Sequence, residues 1–196
     1  MEIYSNYSLK DLNTFKIDVS AKYYAKANSI DQLKQILASE EFNSSANHLI
    51  LGGGSNILFT QDFDGFVISI EIKGIKLIDE DADSVVLEVG AGEDWDGFVK
   101  YTCEKEYDGI ENMAAIPGTV GAAPVQNIAA YGHNQEDVFE SLEAVELSTG
   151  TSKTFQKKNC KFEYRDSIFK NELKDKFAVV AVRYRLKKSF KPNTSY

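Results

Sequence analysis

The stretch at residues 116–132, IPGTVGAAPVQNIAAYG, sets the tightest limit on how this chain can fold. Its seventeen residues hold three glycines, two prolines and four alanines, and only Thr119, Gln126, Asn127 and Tyr131 carry polar side-chain groups. Such a segment packs its backbone against something flat and apolar and offers a few amides and a phenol for directional hydrogen bonds. A bound aromatic cofactor explains that composition. The alternative is a long irregular loop packed on the core, but long ordered loops are uncommon without a function.

A second cluster, Leu51-Gly52-Gly53-Gly54-Ser55-Asn56, directly follows a strand-like run. Glycine takes positive φ without strain and lets backbone N–H groups come close to a ligand. Small side chains leave room for phosphate oxygens, and Ser55 and Asn56 add polar contacts. These are the needs of a pyrophosphate cradle. The run is not the Rossmann fingerprint, which would place glycine where Ile57 stands, and no Gly-Lys-Ser/Thr follows to make a Walker loop. By itself it reads equally well as a tight turn without a ligand. A third cluster is Phe162-Glu163-Tyr164-Arg165-Asp166-Ser167-Ile168-Phe169-Lys170. Arg165 could clamp a carboxylate through two hydrogen bonds. On these residues alone, an Arg165–Asp166 surface pair of little energetic weight is the better reading.

The surrounding pattern predicts two textures. Residues 22–27 read as a strand, and Ser29-Ile-Asp-Gln32 as a capping box ahead of Leu33, Ile36 and Leu37 at helical spacing. Residues 48–51 and 66–70 follow as strands. The result is a β-α-β-β unit over residues 1–70. Beyond it, residues 85–89, 141–147 and 177–186 read as strands, and Asp94 caps a helix carrying Trp95, Phe98, Val99 and Thr102. Residues 71–188 are thus α+β with largely β character, and 189–196, with Pro192, form a linker stub.

Composition excludes several functions. The net charge of -8 and the lack of a Lys/Arg block argue against nucleic acid or an anionic membrane as partner. No run approaches the ~20 apolar residues that span a bilayer, and MEIYSNYSLK has no signal-peptide core. A soluble cytoplasmic protein with no obligatory protein partner is the default expectation. Cys103 and Cys160 are too few for a disulfide framework and read as buried or half-buried thiols. With only His48 and His133 and no tight cluster, no metal site is expected.

Taken in order, these segments resemble the UDP-N-acetylenolpyruvoylglucosamine reductase family over essentially the whole chain. The resemblance rests on Asn13-Thr-Phe15, the Leu-Gly-Gly-Gly-Ser-Asn loop, Val89-Gly-Ala-Gly92 and Gly109-Ile-Glu-Asn112. It continues through Ile116-Pro-Gly118, Pro124-Val-Gln-Asn127, Ala130-Tyr-Gly132 and Tyr164-Arg-Asp-Ser-Ile-Phe-Lys170. The last motif is similar to that of the family's larger subclass.

The resemblance implies an α+β FAD-binding fold of the vanillyl-alcohol-oxidase (PCMH) type, a small α/β subdomain joined to a larger, mostly β one. It implies FAD as cofactor, NADPH as co-substrate and UDP-N-acetylglucosamine enolpyruvate as substrate. Gly52, Gly53, Gly54, Ser55 and Asn56 would hold the pyrophosphate. Ile116, Pro117, Gly118, Val120, Gly121, Ala122, Ala123, Gln126 and Asn127 would line the flavin and the adjoining phosphates, with backbone contacts from Val179 and Val180. Arg165 matches the family's catalytic arginine; Gln126, Tyr131, Tyr164 and, more weakly, Tyr196 match substrate-contacting positions. The serine that protonates the substrate and a late glutamate have no counterpart in this sequence, so the chain is expected to bind FAD without completing the reaction. Two other readings stay open: another flavin oxidase or dehydrogenase of the same superfamily, and a non-catalytic FAD-binding remnant.

Overall fold

The computed structural model describes residues 1–189; Pro192, Tyr196 and nearly all of the 189–196 stub lie outside the described residues. The first seventy residues form β1 (Ile3–Ser8), β2 (Ser20–Ala27), α1 (Ile30–Leu37), α2 (Glu40–Ser44), β3 (His48–Leu51) and β4 (Phe63–Ile70). The strands make one sheet in the order β1-β2-β4-β3. β4 runs parallel to β2 and to β3, and β1 is antiparallel to β2. The β-α-β-β expectation therefore misses a strand. β1, IYSNYS, is an edge strand whose side chains are mostly exposed, so it has no buried face to impose an apolar alternation.

The start of α1 follows from its cap. Ser29 Oγ accepts the Gln32 N–H at 3.1 Å, while Gln32 Oε1 accepts the N–H of Asn28 at 2.9 Å, one residue ahead of the usual capping-box partner. Leu33, Ile36 and Leu37 are buried against the sheet. The central strand β4 is covered on both faces. Phe66, Ile68 and Ile70 enter the main core, and Val67 faces a smaller cluster with Leu9, Val19, Tyr24 and Leu51. That double burial is why FVISI is almost continuously apolar.

The rest of the chain forms β5 (Ile75–Glu80), β6 (Ser84–Gly90), α3 (Trp95–Glu104), β7 (Ala129–Ala130), β8 (His133–Asn134) and α4 (Gln135–Val138). There follow β9 (Phe139–Glu146), β10 (Ser152–Gln156), α5 (Lys157–Cys160) and β11 (Phe177–Lys187). Five of these strands make an antiparallel sheet in the order β10-β9-β11-β6-β5. Its inner residues Val85, Leu87, Val89, Leu142, Val182 and Tyr184 join the same core as Ala25, Ala27, Ile68 and Ile70 of the first sheet. The outer face of β11 carries Arg183, paired with Glu88 at 2.7 Å, and Arg185, paired with Glu140 at 2.8 Å. Cys160 is fully buried, and burial pushes its thiol up to about 12, so it stays protonated and packs as a small apolar group.

Helix α3 is the element that connects fold to site. Asp94 Oδ2 caps it by accepting the Gly97 N–H at 2.8 Å, and Trp95, Phe98, Val99 and Thr102 are buried. Its first turn holds the small-residue segment from behind. Trp95 N–H donates to Gly118 O at 3.0 Å, the Trp95 indole Nε1 donates to Met113 O at 3.0 Å, and Asp96 Oδ1 accepts the Ala115 N–H at 2.6 Å. We predict that Asp94→Ala removes the cap and lowers stability by about 1 kcal/mol. The check is a urea melt, in which an unchanged midpoint would contradict this role of the cap.

Candidate functional site

Leaving β3, the chain turns sharply at Gly52, Gly53 and Gly54. Gly54 has φ +65°, and a Cβ there would lie 2.0 Å from the Leu12 carbonyl oxygen, so only glycine fits. The Gly54 carbonyl in turn accepts the Thr14 N–H at 3.1 Å, which fixes the turn against the N-terminal segment. A Cβ on Gly53 would sit 2.9 Å from Gly118 Cα, and one on Gly52 would sit 2.8 Å from Thr119 Oγ1. The two glycine-bearing segments of the sequence, more than sixty residues apart, thus touch backbone to backbone. Two side chains complete the junction: Ser55 Oγ donates to Pro117 O at 3.1 Å, and Asn56 Nδ2 donates to Gln126 Oε1 at 2.8 Å.

Between these segments and β11 lies a cleft of about 360 Å³. Gly52, Gly53, Gly54, Ser55 and Asn56 line it, together with Ile116, Pro117, Gly118, Gly121, Ala122, Ala123, Gln126 and Val179. Among the described residues, the N–H groups of Gly53, Gly54, Ser55 and Asn56 donate to no other backbone group. Four consecutive donors without a backbone partner on a turn that lines the cleft suit a phosphate. The residues from Ile116 to Ala123 that line it are small or apolar, apart from Thr119, and larger side chains such as Trp95, Phe169 and Phe177 complete the lining.

Other residues named from the sequence stand elsewhere. Val120 is fully buried behind the wall, its N–H donating to Glu93 O at 2.9 Å. Val180 is buried at a bulge in β11, and its carbonyl accepts the Ala91 N–H at 3.0 Å. Asn127 is 3% exposed, with both ends of its amide bonded within the protein. Tyr131, Tyr164 and Arg165 are exposed and do not line the cleft.

Their local structure shows why they stand together. β7 and β8 form a hairpin whose two turn residues, Tyr131 at φ +49° and Gly132 at φ +80°, both have the positive φ of a type I′ turn. Tyr131 is thereby presented at the tip, 61% exposed. Residues 163–166 close on themselves through two Glu163–Asp166 backbone hydrogen bonds of 3.1 Å, with Arg165 at φ +54°. Three further bonds stitch this turn onto the small-residue segment. Asn127 Nδ2 donates to Glu163 O at 3.0 Å, Arg165 Nη2 to Ala129 O at 2.9 Å, and Ser167 Oγ to Val125 O at 2.6 Å. Arg165 does not pair with Asp166, as the residues alone suggested. Asp166 instead accepts from Asn171 Nδ2 at 2.8 Å, a bond that holds its carboxyl below the usual carboxylate range. Non-glycine residues at positive φ cluster here: Ala115, Asn127, Tyr131 and Arg165. Such strain is tolerated where the surroundings fix each residue by other contacts.

Several further residues line the cleft without having stood out in the sequence, among them Trp95, Leu147, Phe169, Lys170 and Phe177. Trp95 and Phe177 were legible only as core. Lys170 lay within the Arg165 motif, but its side chain serves the turn itself, donating to Arg165 O at 2.9 Å. We predict that Gly54→Ala costs about 2–4 kcal/mol, combining the left-handed backbone with a clash against an immobile carbonyl. Thermal unfolding within a degree or two of the parent protein would refute it.

Comparison with known proteins fits this geometry. Residues 21–156 match the family described as FAD binding domain. Over its whole length the chain is 50% identical to a UDP-N-acetylenolpyruvoylglucosamine reductase of Amoebophilus asiaticus, and it spans 58% of that protein. Among solved structures, UDP-N-acetylenolpyruvylglucosamine reductase from Thermus caldophilus superposes with a TM-score of 0.75 at 23% identity, over 96% of this chain and 62% of that one. Cholesterol oxidase from B. sterolicum matches with a TM-score of 0.63 at 11% identity, over 95% of this chain and 37% of that one. The fold is the FAD-binding fold of the vanillyl-alcohol-oxidase type. Among the described residues, no helix is long and apolar enough to cross a membrane.

Proposed function

Because this chain belongs to the FAD binding domain family, we propose that it is the flavin-holding part of a reductase. That enzyme uses FAD and NADPH to convert UDP-N-acetylglucosamine enolpyruvate to UDP-N-acetylmuramate, in the cytoplasm, for peptidoglycan precursor synthesis. One observation carries the reading: the triple-glycine turn and the small-residue segment meet in one cleft, joined by the Ser55–Pro117 and Asn56–Gln126 hydrogen bonds. In the same reading the chain divides near residue 70, with 1–70 and 71–188 as two FAD-binding lobes.

The residues present fit the cofactor. The unused N–H groups of Gly53, Gly54, Ser55 and Asn56 hold the pyrophosphate without a side-chain cation. Ile116, Pro117, Gly118, Gly121, Ala122, Ala123 and Val179 give the isoalloxazine a wall of low polarity, while Val120, Val180 and Asn127 support it from behind. Bound FAD supplies the hydride chemistry that no protein side chain provides.

The protein's own contribution is electrostatic. Reduction of the enolpyruvyl ether builds negative charge next to its carboxylate. Arg165, a permanent cation on a fixed turn, lowers the energy of that charge; one well-placed donor of this kind contributes roughly 3–4 kcal/mol. With one guanidinium nitrogen anchored to Ala129 O, the rest of the fork faces outward to receive a carboxylate. Tyr164 stands on the same turn and Tyr131 on the nearby hairpin tip, while Gln126 lines the cleft; all three would contact the substrate.

The test begins with FAD titration of the purified chain, read by flavin fluorescence. Saturable one-to-one binding is expected, weakened by about tenfold or more in Gly53→Val, because the added side chain enters the junction with Gly118. Arg165→Ala should leave FAD affinity within about twofold but remove about 10²–10³ of any enolpyruvyl-dependent rate, the usual loss for one electrostatic donor. A chain that takes up no FAD, or an Arg165→Ala variant that keeps its rate, would sink the reading.

A further inference from the structure

Gln135 opens helix α4, and its side chain has no solvent exposure at all. A leucine or methionine would pack in the same volume without bringing an amide into the core. The amide is not idle: Gln135 Nε2 donates to Asn127 Oδ1 at 3.1 Å. That bond fixes which way round the Asn127 amide stands, so that Asn127 Nδ2 donates to Glu163 O at 3.0 Å. Glu163 is the first residue of the closed turn that carries Tyr164 and Arg165.

The relay is also held at its other end. Gln135 N–H donates to Ile128 O at 2.9 Å, and Asp137 Oδ2 accepts the Asn134 N–H at 3.2 Å, which closes the first turn of α4. Gln135 is therefore held at its backbone as well as through its amide. Its own Oε1 has no hydrogen-bond partner among the described residues. A buried carbonyl left unbonded is unfavourable, so an amide at this position makes sense through what its N–H₂ end does. Asn127 sits at φ +44° and Arg165 at φ +54°. Asparagine tolerates this region readily, whereas for Arg165 it is an uncommon conformation that surrounding contacts must hold.

We propose that Gln135 is a positioning residue. Through Asn127 it sets the stance of the Glu163–Asp166 turn, and so the direction in which Arg165 presents its guanidinium. The relay has a polarity. A donor at position 135 keeps Asn127 Nδ2 pointed at Glu163 O; an acceptor there would draw that N–H₂ to itself and leave the Asn127 oxygen against the Glu163 carbonyl. Only the consequence for substrate binding rests on the function proposed above.

Two substitutions separate positioning from packing. Gln135→Met keeps length and volume but loses the donor. Gln135→Glu keeps the shape and, at a pH high enough to ionise the buried carboxyl, reverses the polarity. The chain has three arginines, Arg165, Arg183 and Arg185, so their Nε–Hε signals can be assigned individually by NMR on the intact protein. Arg183 and Arg185 lie on the outer face of the second sheet, paired with Glu88 and Glu140, and serve as internal controls. In both variants the Arg165 signal should move toward the position of a free arginine while the other two stay in place. Gln135→Glu should have the larger effect even if Gln135→Met melts at the parent temperature. Asn127→Ala should shift the Arg165 signal as well, and adding Gln135→Met to it should shift it no further. An Arg165 signal unmoved in folded Gln135→Met, or additive shifts in the double variant, would overturn the proposal. Separately, the FAD-loaded Gln135→Met chain should bind the enolpyruvyl UDP-sugar about tenfold more weakly than the parent while FAD affinity changes less than twofold. If the parent binds no such sugar, the proposed function fails while the NMR result still decides the relay.

Discussion

The backbone contact between the glycine turn after β3 and residues 117–119 is the constraint around which the site is organised. At Gly53 the two segments approach until a single added carbon would overlap Gly118 Cα. Steric exclusion of this kind acts at shorter range than any attractive term, and it cannot be relieved by rotating a side chain, since both partners are main chain. It fixes how closely the two segments approach here. The neighbouring hydrogen bonds from Ser55 and Asn56 then fix the lateral register. Close approach and small side chains together leave a slot bounded by peptide planes, which is what a flat ligand with a phosphate tail needs.

Order spreads from that junction along one polypeptide segment. The first turn of α3 holds it at Met113, Ala115 and Gly118, and the turn after β6 holds it at Val120 and Gly121, through Glu93 and Ala91. The loop carrying Arg165 holds it at Val125, Asn127 and Ala129. A loop of this length with no regular structure would pay heavily in chain entropy if it were free. Here nearly every second or third residue is tied to a different element, so the segment behaves as part of the scaffold. Four non-glycine residues at positive φ, Ala115, Asn127, Tyr131 and Arg165, lie in this segment or on the loop tied to it.

How much was legible in the sequence depended on whether a residue's job was local. The cap at Ser29, the cap at Asp94 and the buried faces of α1 and α3 follow from neighbours three or four positions away, and they stand where the pattern put them. β4 and β11 were legible because central strands concentrate apolar residues. The edge strands β1, β5 and β10 were not: they expose most of their side chains, so IYSNYS, IKLIDE and SKTFQ carry no burial signal. In the site, the glycines and small residues were readable because their need for space is intrinsic. The partners of Asn127, Arg165 and Asp166 were not, because each is chosen by a residue distant in sequence or by a turn whose closure cannot be read one residue at a time. Gln135 looked like an ordinary polar helix residue; only its burial beside Asn127 gives it meaning.

The placement of β11 bears on how the protein is made. This strand lies between β9 and β6, pairing Tyr184 with Leu87 on one side and Val182 with Leu142 on the other. A ribosome delivers β6 about a hundred residues before the strand that must lie beside it. Until residues 177–187 emerge, the second sheet exists as two unjoined hairpins with open inner edges and a bare apolar face. The newborn chain therefore passes through a long interval in which its stickiest surfaces are complete but unpaired. Residues 177–187 are thus the strand that joins the two hairpins into one sheet.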